Sequence, residues 1–392
     1  MRRLLQGDVG CGKTVVAACC ALMSIESGFS VALMAPTEIL AEQHYRNFQT
    51  WFEPLGIPVL MHTGSRKTAG ASARILPLPL GGEGQGEGAV RGKQASSLVI
   101  GTHALIQEGF QLDNLGLVII DEQHKFGVVQ REKLVRKGRY PHLLVMTATP
   151  IPRTLGLTLY GDLDISIINQ LPANRAKIRT FIRSADTLPK VMDFIRSHLK
   201  QKRQAYVVYP RVDETSDGTV KAVITESDRL QAALRPFRVG VLHGRLRTDE
   251  KERVTEQFRK NQLQVLLTTS IVEVGVDVPN ATVMLIENAE QFGLAQLHQI
   301  RGRVGRGVHE SYCILIADPK TREARQRLRV LEQTTDGFTI AEADLKLRGP
   351  GELVGQEQSG MPSFRFGNLA EDGPLIEKAR DTARTFLLAE DK

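Results

Sequence analysis

The sequence predicts an α/β protein with two tandem parallel sheets and a helical third unit after them. Three observations carry this. Short runs rich in Val, Ile and Leu, without polar alternation, recur between longer helical patterns, as strands buried on both faces do. The series breaks once, at "INQLPANRAKIRT" (Ile168 to Thr180), where a proline and polar residues intervene, and then restarts. From about Ala324 it stops, and a Gly- and Arg-rich helical stretch takes over.

In the first series "RRLLQ" reads as a strand ahead of a glycine loop. Behind the loop, "TVVAACCALMSIES" is apolar nearly all round, which predicts a buried helix stopping at Gly28. "VALMAPT", "SLVIGT", "LGLVIIDE" and "LLVMTATP" follow as strands; "AYVVYP", "VGVLHG", "VLLTTS", "TVMLIEN" and "SYCILIA" form the second series. Domains are therefore expected over 1–167, 168–323 and 324–392. The stretch from Arg66 to Ser97, dominated by Gly, Pro and small polar residues, has no periodicity and reads as a disordered low-complexity insertion without assigned chemistry.

The 392 residues are 42% hydrophobic and 24% charged, an ordinary globular balance with room for real cores. A formal charge of +7 makes polyanions plausible partners, but 51 basic against 44 acidic residues is too even to establish one. Cys11, Cys19, Cys20 and Cys313 show neither CxxC pairing nor a His at zinc-ligand spacing, so neither a metal site nor a disulfide framework is indicated. No apolar run approaches the roughly 20 residues that span a bilayer, and "MRRLLQGDVG" lacks a signal peptide's apolar core. A cytoplasmic protein with no membrane partner is expected.

The chemistry begins at "GDVGCGKT", which matches G-x-x-x-x-G-K-[ST] as Gly7, Gly12, Lys13 and Thr14, between a strand and a helix. Such a loop, here Gly7, Asp8, Val9, Gly10, Cys11, Gly12, Lys13 and Thr14, turns backbone N–H groups toward phosphate oxygens at a helix N-terminus. Lys13 is expected on the β- and γ-phosphates and the Thr14 hydroxyl on Mg²⁺, so ATP and Mg²⁺ are the implied cofactors. Cys11 is read as a small loop filler. In "LVIIDEQH" a buried strand delivers Asp121 and Glu122 at its carboxyl end, where open α/β sheets bind ligands. Asp121 is expected to hold Mg²⁺ through its water shell, and Glu122 to orient or deprotonate the attacking water.

"QLHQIRGRVGRG" reads as one short helix bearing Gln299, Arg303 and Arg306, the two arginines three apart on one face. From Arg301 to Gly307 it holds three arginines, three glycines and no acid, which suits phosphate recognition better than solvation. Were Arg303 and Arg306 to reach the γ-phosphate held by the first domain, hydrolysis would require closure.

Taken in order, "GDVGCGKT", "APTEILAEQH", "GTHAL", "DEQH", "TATP", "TTSIVEVGVDVPNA" and "QIRGRVGRG" resemble the motif set of a superfamily 2 helicase over nearly the whole chain. Two groups have closely similar motors, the RecG family of branched-DNA translocases and the transcription-repair coupling factors. The tail "TTDGFTIAEADLKLRGPGELVGQEQSG", with "LRGPGE" where coupling factors usually have "IRGAGE", resembles the RecG translocation motif.

That resemblance implies two RecA-like domains and a C-terminal helical hairpin acting on forks and Holliday junctions in recombination and repair. Branched or forked double-stranded DNA is then the partner, single-stranded DNA-binding protein a further one, and a monomer the expected state. Lys13, Thr14, Asp121, Glu122, Gln299, Arg303 and Arg306 match ATPase positions. Gly275 and Asp277, with Thr147 and Thr149, match residues linking nucleotide state to DNA. Pro36, Thr37, Thr102, His103, Thr268 and Thr269 match the DNA path, and Arg327 and Gln358 the key residues of the translocation motif. By themselves Pro36, Thr37, Thr102 and Thr269 read as turn and cap residues at strand ends, His103 as a loop histidine, and Arg327 as part of a solvated basic helix.

The family carries a wedge domain and an adenine-reading motif ahead of the phosphate loop, and Met1 falls about where its usual text has a methionine. The chain is thus expected to be the motor portion without the fork-gripping part, its first strand uncovered at the edge. Lys125 stands where the family more often has arginine, losing a bidentate fork. Two alternatives stand beside this reading: the motor of a coupling factor, and a non-catalytic remnant that binds ATP or DNA.

Overall fold

The computed structural model describes residues 1–64, 66, 96–122, 126, 128–148, 163–170, 172, 176–210, 217–269 and 278–348, with individual residues between 372 and 386. Most of the low-complexity insertion, 67–95, lies outside them, as do Thr149, Gly275, Asp277, Gln358 and Lys125.

Among the described residues the first sheet has seven strands: β1 (Arg2–Gly7), β2 (Ser30–Met34), β3 (Val59–His62), β4 (Leu98–Gly101), β5 (Leu115–Ile120), β6 (His142–Thr147) and β7 (Asp164–Ile168), in the order β3-β4-β2-β5-β6-β1-β7. The pairs along β3-β4-β2-β5-β6 are parallel. The second sheet has six: β8 (Ile178–Arg183), β9 (Gln204–Val208), β10 (Val239–Leu242), β11 (Val265–Thr268), β12 (Ala281–Ile286) and β13 (Ser311–Ile316), ordered β10-β11-β9-β12-β13-β8 with every neighbouring pair parallel.

The unbroken apolar runs follow from burial of both faces. Tyr206, Val208, Leu266, Met284, Ile286, Cys313 and Leu315 enter one core of the second sheet, while Ala205, Val207, Val265, Leu267, Val283, Leu285 and Ile314 enter the other. Alternate residues on one strand thus serve opposite cores.

Three strands carry no such signal. β3 is half-buried over two of its four residues, and neither β7 nor β8 shows the continuous burial of a central strand. β1, expected to be uncovered, instead lies between β6 and β7. Sheet order, which local sequence does not encode, decides this.

Helix α1 (Lys13–Glu26) follows β1 and packs on β2 and β5. It is not buried all round. Lys13, Ala17, Ala18 and Ala21 face the sheet, whereas Val15 and Met23 are 54% and 68% exposed and Cys19 between them is also exposed. A single helical layer on a sheet can cover only one face of the helix, and the alanines let that face sit close. The helix stops as expected: Gly28 adopts φ 85°, and the Gly28 and Phe29 N–H groups donate to the Ile25 and Ser24 carbonyls.

The helix Arg322–Gln333 and the helix Gly337–Arg348 pack against each other behind the second sheet's strands. The chain divides into two compact units, one of Met1–Leu5 and Gly12–Thr147, the other of Gln6–Cys11 and Ala148–Lys392. Among the described residues all four cysteines are free, and no helix is long and apolar enough to cross a membrane.

Candidate active site

The phosphate loop is shaped by its own residues. Gly10 and Gly12 take φ 77° and 101°, a region side chains rarely adopt. Gly7 is required for a different reason, since a Cβ there would sit 2.4 Å from the Cys11 sulfur. Cys11, 8% exposed, fills the space beneath the loop. The Val9 N–H donates to Asp8 Oδ1 at 2.6 Å and the Cys11 N–H to the Asp8 carbonyl at 3.2 Å, closing the turn. Gly12 then starts α1, its carbonyl accepting from the Val15 and Val16 N–H groups, so Lys13 and Thr14 stand in the first turn.

In the first unit, β5 ends at Ile120 and delivers Asp121, whose N–H donates to the Met34 carbonyl at the end of β2. Asp121 is 9% exposed. Its Oδ2 accepts from His44 Nε2 at 2.8 Å, and its Oδ1 from the Glu122 N–H at 3.0 Å. Burial pushes the Asp121 carboxyl up. The His44 hydrogen bond and charge, the Lys13 ammonium and the Glu122 N–H outweigh it and hold Asp121 below the usual carboxylate range. Glu122 itself adopts φ 50°, a left-handed conformation that costs a side-chain-bearing residue of this kind about 1 kcal/mol or more.

Asp121 and the Thr14 hydroxyl are hard oxygen donors. Among the described residues no three His, Cys, Asp or Glu converge to cage a metal. One or two protein oxygens at a phosphate loop are the donor set that suits Mg²⁺ carried on nucleotide phosphates, so the residues fit that ion.

In the second unit the expected arginine helix is shorter than the spacing implied. It runs Leu294–Arg301 and carries Gln299, 8% exposed, but ends before Arg303 and Arg306. Gly302 closes it, Val304 turns inward and Gly305 takes φ 74°, where a Cβ would meet Ile178 at 2.6 Å. The glycines that suit a phosphate-binding turn are the ones that terminate the helix, so the two arginines share a turn and not a helix face. The Arg306 Nε donates to the Gly302 carbonyl at 3.1 Å.

Arg301, counted at first only as one of three arginines, is 2% exposed and donates to the Leu331 and Thr334 carbonyls at 2.7 and 2.8 Å. His298, also buried, places Nδ1 3.1 Å from Arg301 and Nε2 2.8 Å from Asp8 Oδ1, both partners within the second unit. His44 and Arg301 are the residues that sequence reasoning passed over. The only hint was a polar residue inside an apolar helical stripe.

The residues expected along a nucleic-acid path end strands or begin helices. Pro36 and Thr37 follow β2, and Thr37 Oγ1 accepts from the Leu40 N–H at 3.3 Å as the N-cap of helix α2 (Glu38–Phe52). Thr102 precedes a short 3₁₀ turn whose first residue, His103, sets its ring 5.2 Å from that of Phe126. Thr147 and Thr268 close β6 and β11, both buried, and Thr269 is buried beside Thr268. Arg327 is half-buried on the helix Arg322–Gln333.

Comparison with known proteins follows the same division. Residues 2–157 match the DEAD/DEAH box helicase family, 186–308 the helicase conserved C-terminal domain, and 334–392 the C-terminal part of domain 3 of the ATP-dependent DNA helicase RecG. The chain is 50% identical over 389 residues to RecG of a Synechocystis species, covering 99% of this chain and 45% of the relative. It is 46% identical to RecG of Bacillus subtilis over 391 residues, all of this chain and 55% of the relative. A solved structure of RecG bound to a three-way DNA junction superposes with a TM-score of 0.72 at 42% identity, over 96% of this chain and 47% of that one. Yeast Dbp5 bound to RNA and ADP BeF3, at 16% identity and a TM-score of 0.60 over 97% of this chain and 89% of that one, shares the fold of tandem RecA-like domains. The chain spans about half the length of the curated relatives it matches. With helicase matches over both sheets and a RecG match over the tail, the chain belongs to the RecG family of superfamily 2 helicases.

Proposed function

We propose that this chain is an ATP-hydrolysing motor that tracks along branched or forked double-stranded DNA and remodels it. The observation that carries the reading is the Asp121 carboxylate, buried and ionised beside Lys13, in a chain whose glycine loop has the backbone a phosphate cradle requires. The RecG structure it resembles is bound to a three-way junction, which supports the choice of DNA.

In this reading Lys13 and the loop N–H groups bind the phosphates, and Thr14 and Asp121 are the residues that would hold Mg²⁺, which when bound would supply positive charge against the phosphoryl oxygens. Glu122 orients or deprotonates the water. Gln299, Arg303 and Arg306 serve as the second domain's contribution. An arginine supplied this way is worth about 10³ to 10⁵ in rate, or roughly 4 to 7 kcal/mol, which makes turnover depend on closure and lets a hydrolysis cycle move DNA. Thr37, Thr102, His103 and Thr269 lie along the DNA backbone, with Arg327 and Gln358 in the translocation motif.

The test is ATP hydrolysis by the purified chain with and without a forked duplex. Turnover stimulated by the fork and lost at high salt is expected, since backbone tracking releases counterions. A chain that hydrolyses no ATP under either condition would be a binding remnant, and one that captures RNA polymerase would favour a coupling factor.

A further inference from the structure

His44 lies in the apolar stripe of α2, in step with Leu40, Ala41, Phe48 and Phe52, and is 5% exposed. A polar ring in such a stripe is usually a core residue with a convenient partner. Its partner here is the Asp121 carboxylate, 77 residues away in sequence. The His44 Nε2–H donates to Oδ2 while the Glu122 N–H donates to Oδ1. With each oxygen held by a different donor, the carboxyl plane cannot rotate. Nδ1 of His44 is buried and has no hydrogen-bond partner among the described residues, so the ring is oriented by the carboxylate and by packing, its ring centre 6.4 Å from that of Phe48.

The same helix begins at Thr37, the N-cap that follows the Ala35–Pro36 turn. Seven residues of helix, roughly 10 Å at 1.5 Å per residue, separate that end from His44. α2 is thus a rigid rod with the segment expected on the DNA path at one end and a hold on the catalytic carboxylate further along. Resting on the ATPase reading above, we infer that His44 is a positioning residue for the Mg²⁺-binding carboxylate, fixing the orientation of Asp121 and tying it to helix α2. His44 itself touches neither nucleotide nor reacting water in this role.

Residues that orient a metal-binding carboxylate typically cost 10- to 100-fold in metal affinity when removed. Mn²⁺ binding to the chain in the presence of ADP, followed by the loss of the free-ion electron paramagnetic resonance signal, reads this without turnover. His44→Ala should weaken Mn²⁺ binding at least tenfold, while His44→Gln, which places an amide donor at similar reach, should stay within about threefold of the unaltered chain. In turnover, the His44→Ala defect should shrink as Mg²⁺ is raised, which a folding defect would not do. Mn²⁺ affinity within threefold for His44→Ala, equal losses in Ala and Gln variants, or a turnover defect indifferent to Mg²⁺ would each overturn the inference. An unaltered chain that binds no Mn²⁺ with ADP would instead overturn the ATPase reading itself, so the two failures are distinguishable.

Discussion

The Arg301 guanidinium, 2% exposed, donates to the Leu331 carbonyl at 2.7 Å, joining the end of the helix Leu294–Arg301 to the end of the helix Arg322–Gln333. The Thr334 carbonyl, the Thr180 hydroxyl and His298 Nδ1 are further partners, at 2.8, 3.4 and 3.1 Å, so one side chain ties several groups together. Because Arg301 donates to Nδ1, the His298 ring presents Nε2–H to Asp8.

Replacing Arg301 with alanine strands the buried Leu331 carbonyl and the half-buried Thr334 carbonyl, at about 1 to 3 kcal/mol for a fully buried group. Arg301→Ala should therefore lower unfolding free energy by about 3 kcal/mol or more in a urea titration. Arg301→Lys should recover only part of it, since an ammonium does not reproduce the planar fork. A midpoint unchanged in both variants would show that the guanidinium does not hold the tail.

Lys13 lies at the head of α1 and helps hold Asp121 ionised. Lys13→Ala should reduce ATP turnover at least 100-fold while the far-ultraviolet circular dichroism spectrum stays the same. Turnover left intact would disprove the phosphate-loop assignment.

Glu122 stores backbone strain at φ 50°. Glycine relieves that conformation, so Glu122→Gly should raise stability by about 1 kcal/mol while removing hydrolysis, a split between thermal melting and turnover. Glu122→Gln keeps the strain, and should retain nucleotide binding with turnover lost. A variant that gains stability and keeps turnover would remove Glu122 from the chemistry.

At the end of β12, burial and then the neighbouring Glu226 charge push the Glu287 carboxyl up from 4.5 to about 7, against the opposing Arg229. Glu287 is 7% exposed, and Tyr209 donates to Glu226 Oε2 at 3.0 Å beside it. Its folded pKa lies above its unfolded one, so the folded state binds the extra proton between about 4.5 and 7. The contribution is present below pH 4.5 and disappears as pH rises to 7, a change of up to roughly 3 kcal/mol. Glu287→Gln should flatten that part of the stability profile and be the more stable form at pH 8. Parallel profiles for the two proteins from pH 5 to 8 would refute the assignment.

Much of the fold was legible because its determinants are local. Unbroken Val, Ile and Leu runs mark strands buried on both sides, and nine of the thirteen strands among the described residues were visible this way, with β1 read from its place ahead of the glycine loop, while β3, β7 and β8 are too short or too exposed to carry the pattern. The phosphate loop and Asp121–Glu122 were legible for the same reason, each being a contiguous run whose spacing is the chemistry. The arginine segment was legible in composition and misread in shape. A helical face was expected for Arg303 and Arg306, yet Gly302 and Gly305 end the helix at Arg301.

The sequence by itself determined most of the strands, the glycine turn ahead of α1 and the carboxylate pair that follows β5, because periodicity, glycine placement and residue chemistry act over a few residues. Tertiary structure alone decided that His44 would hold Asp121, that Arg301 would face inward to the Leu331 and Thr334 carbonyls, and that α1 would leave Val15, Cys19 and Met23 outside. The first of those depends on strand order. β2 lies beside β5, so the helix leaving β2 passes the carboxyl end of β5, and no pattern along the chain specifies that neighbour.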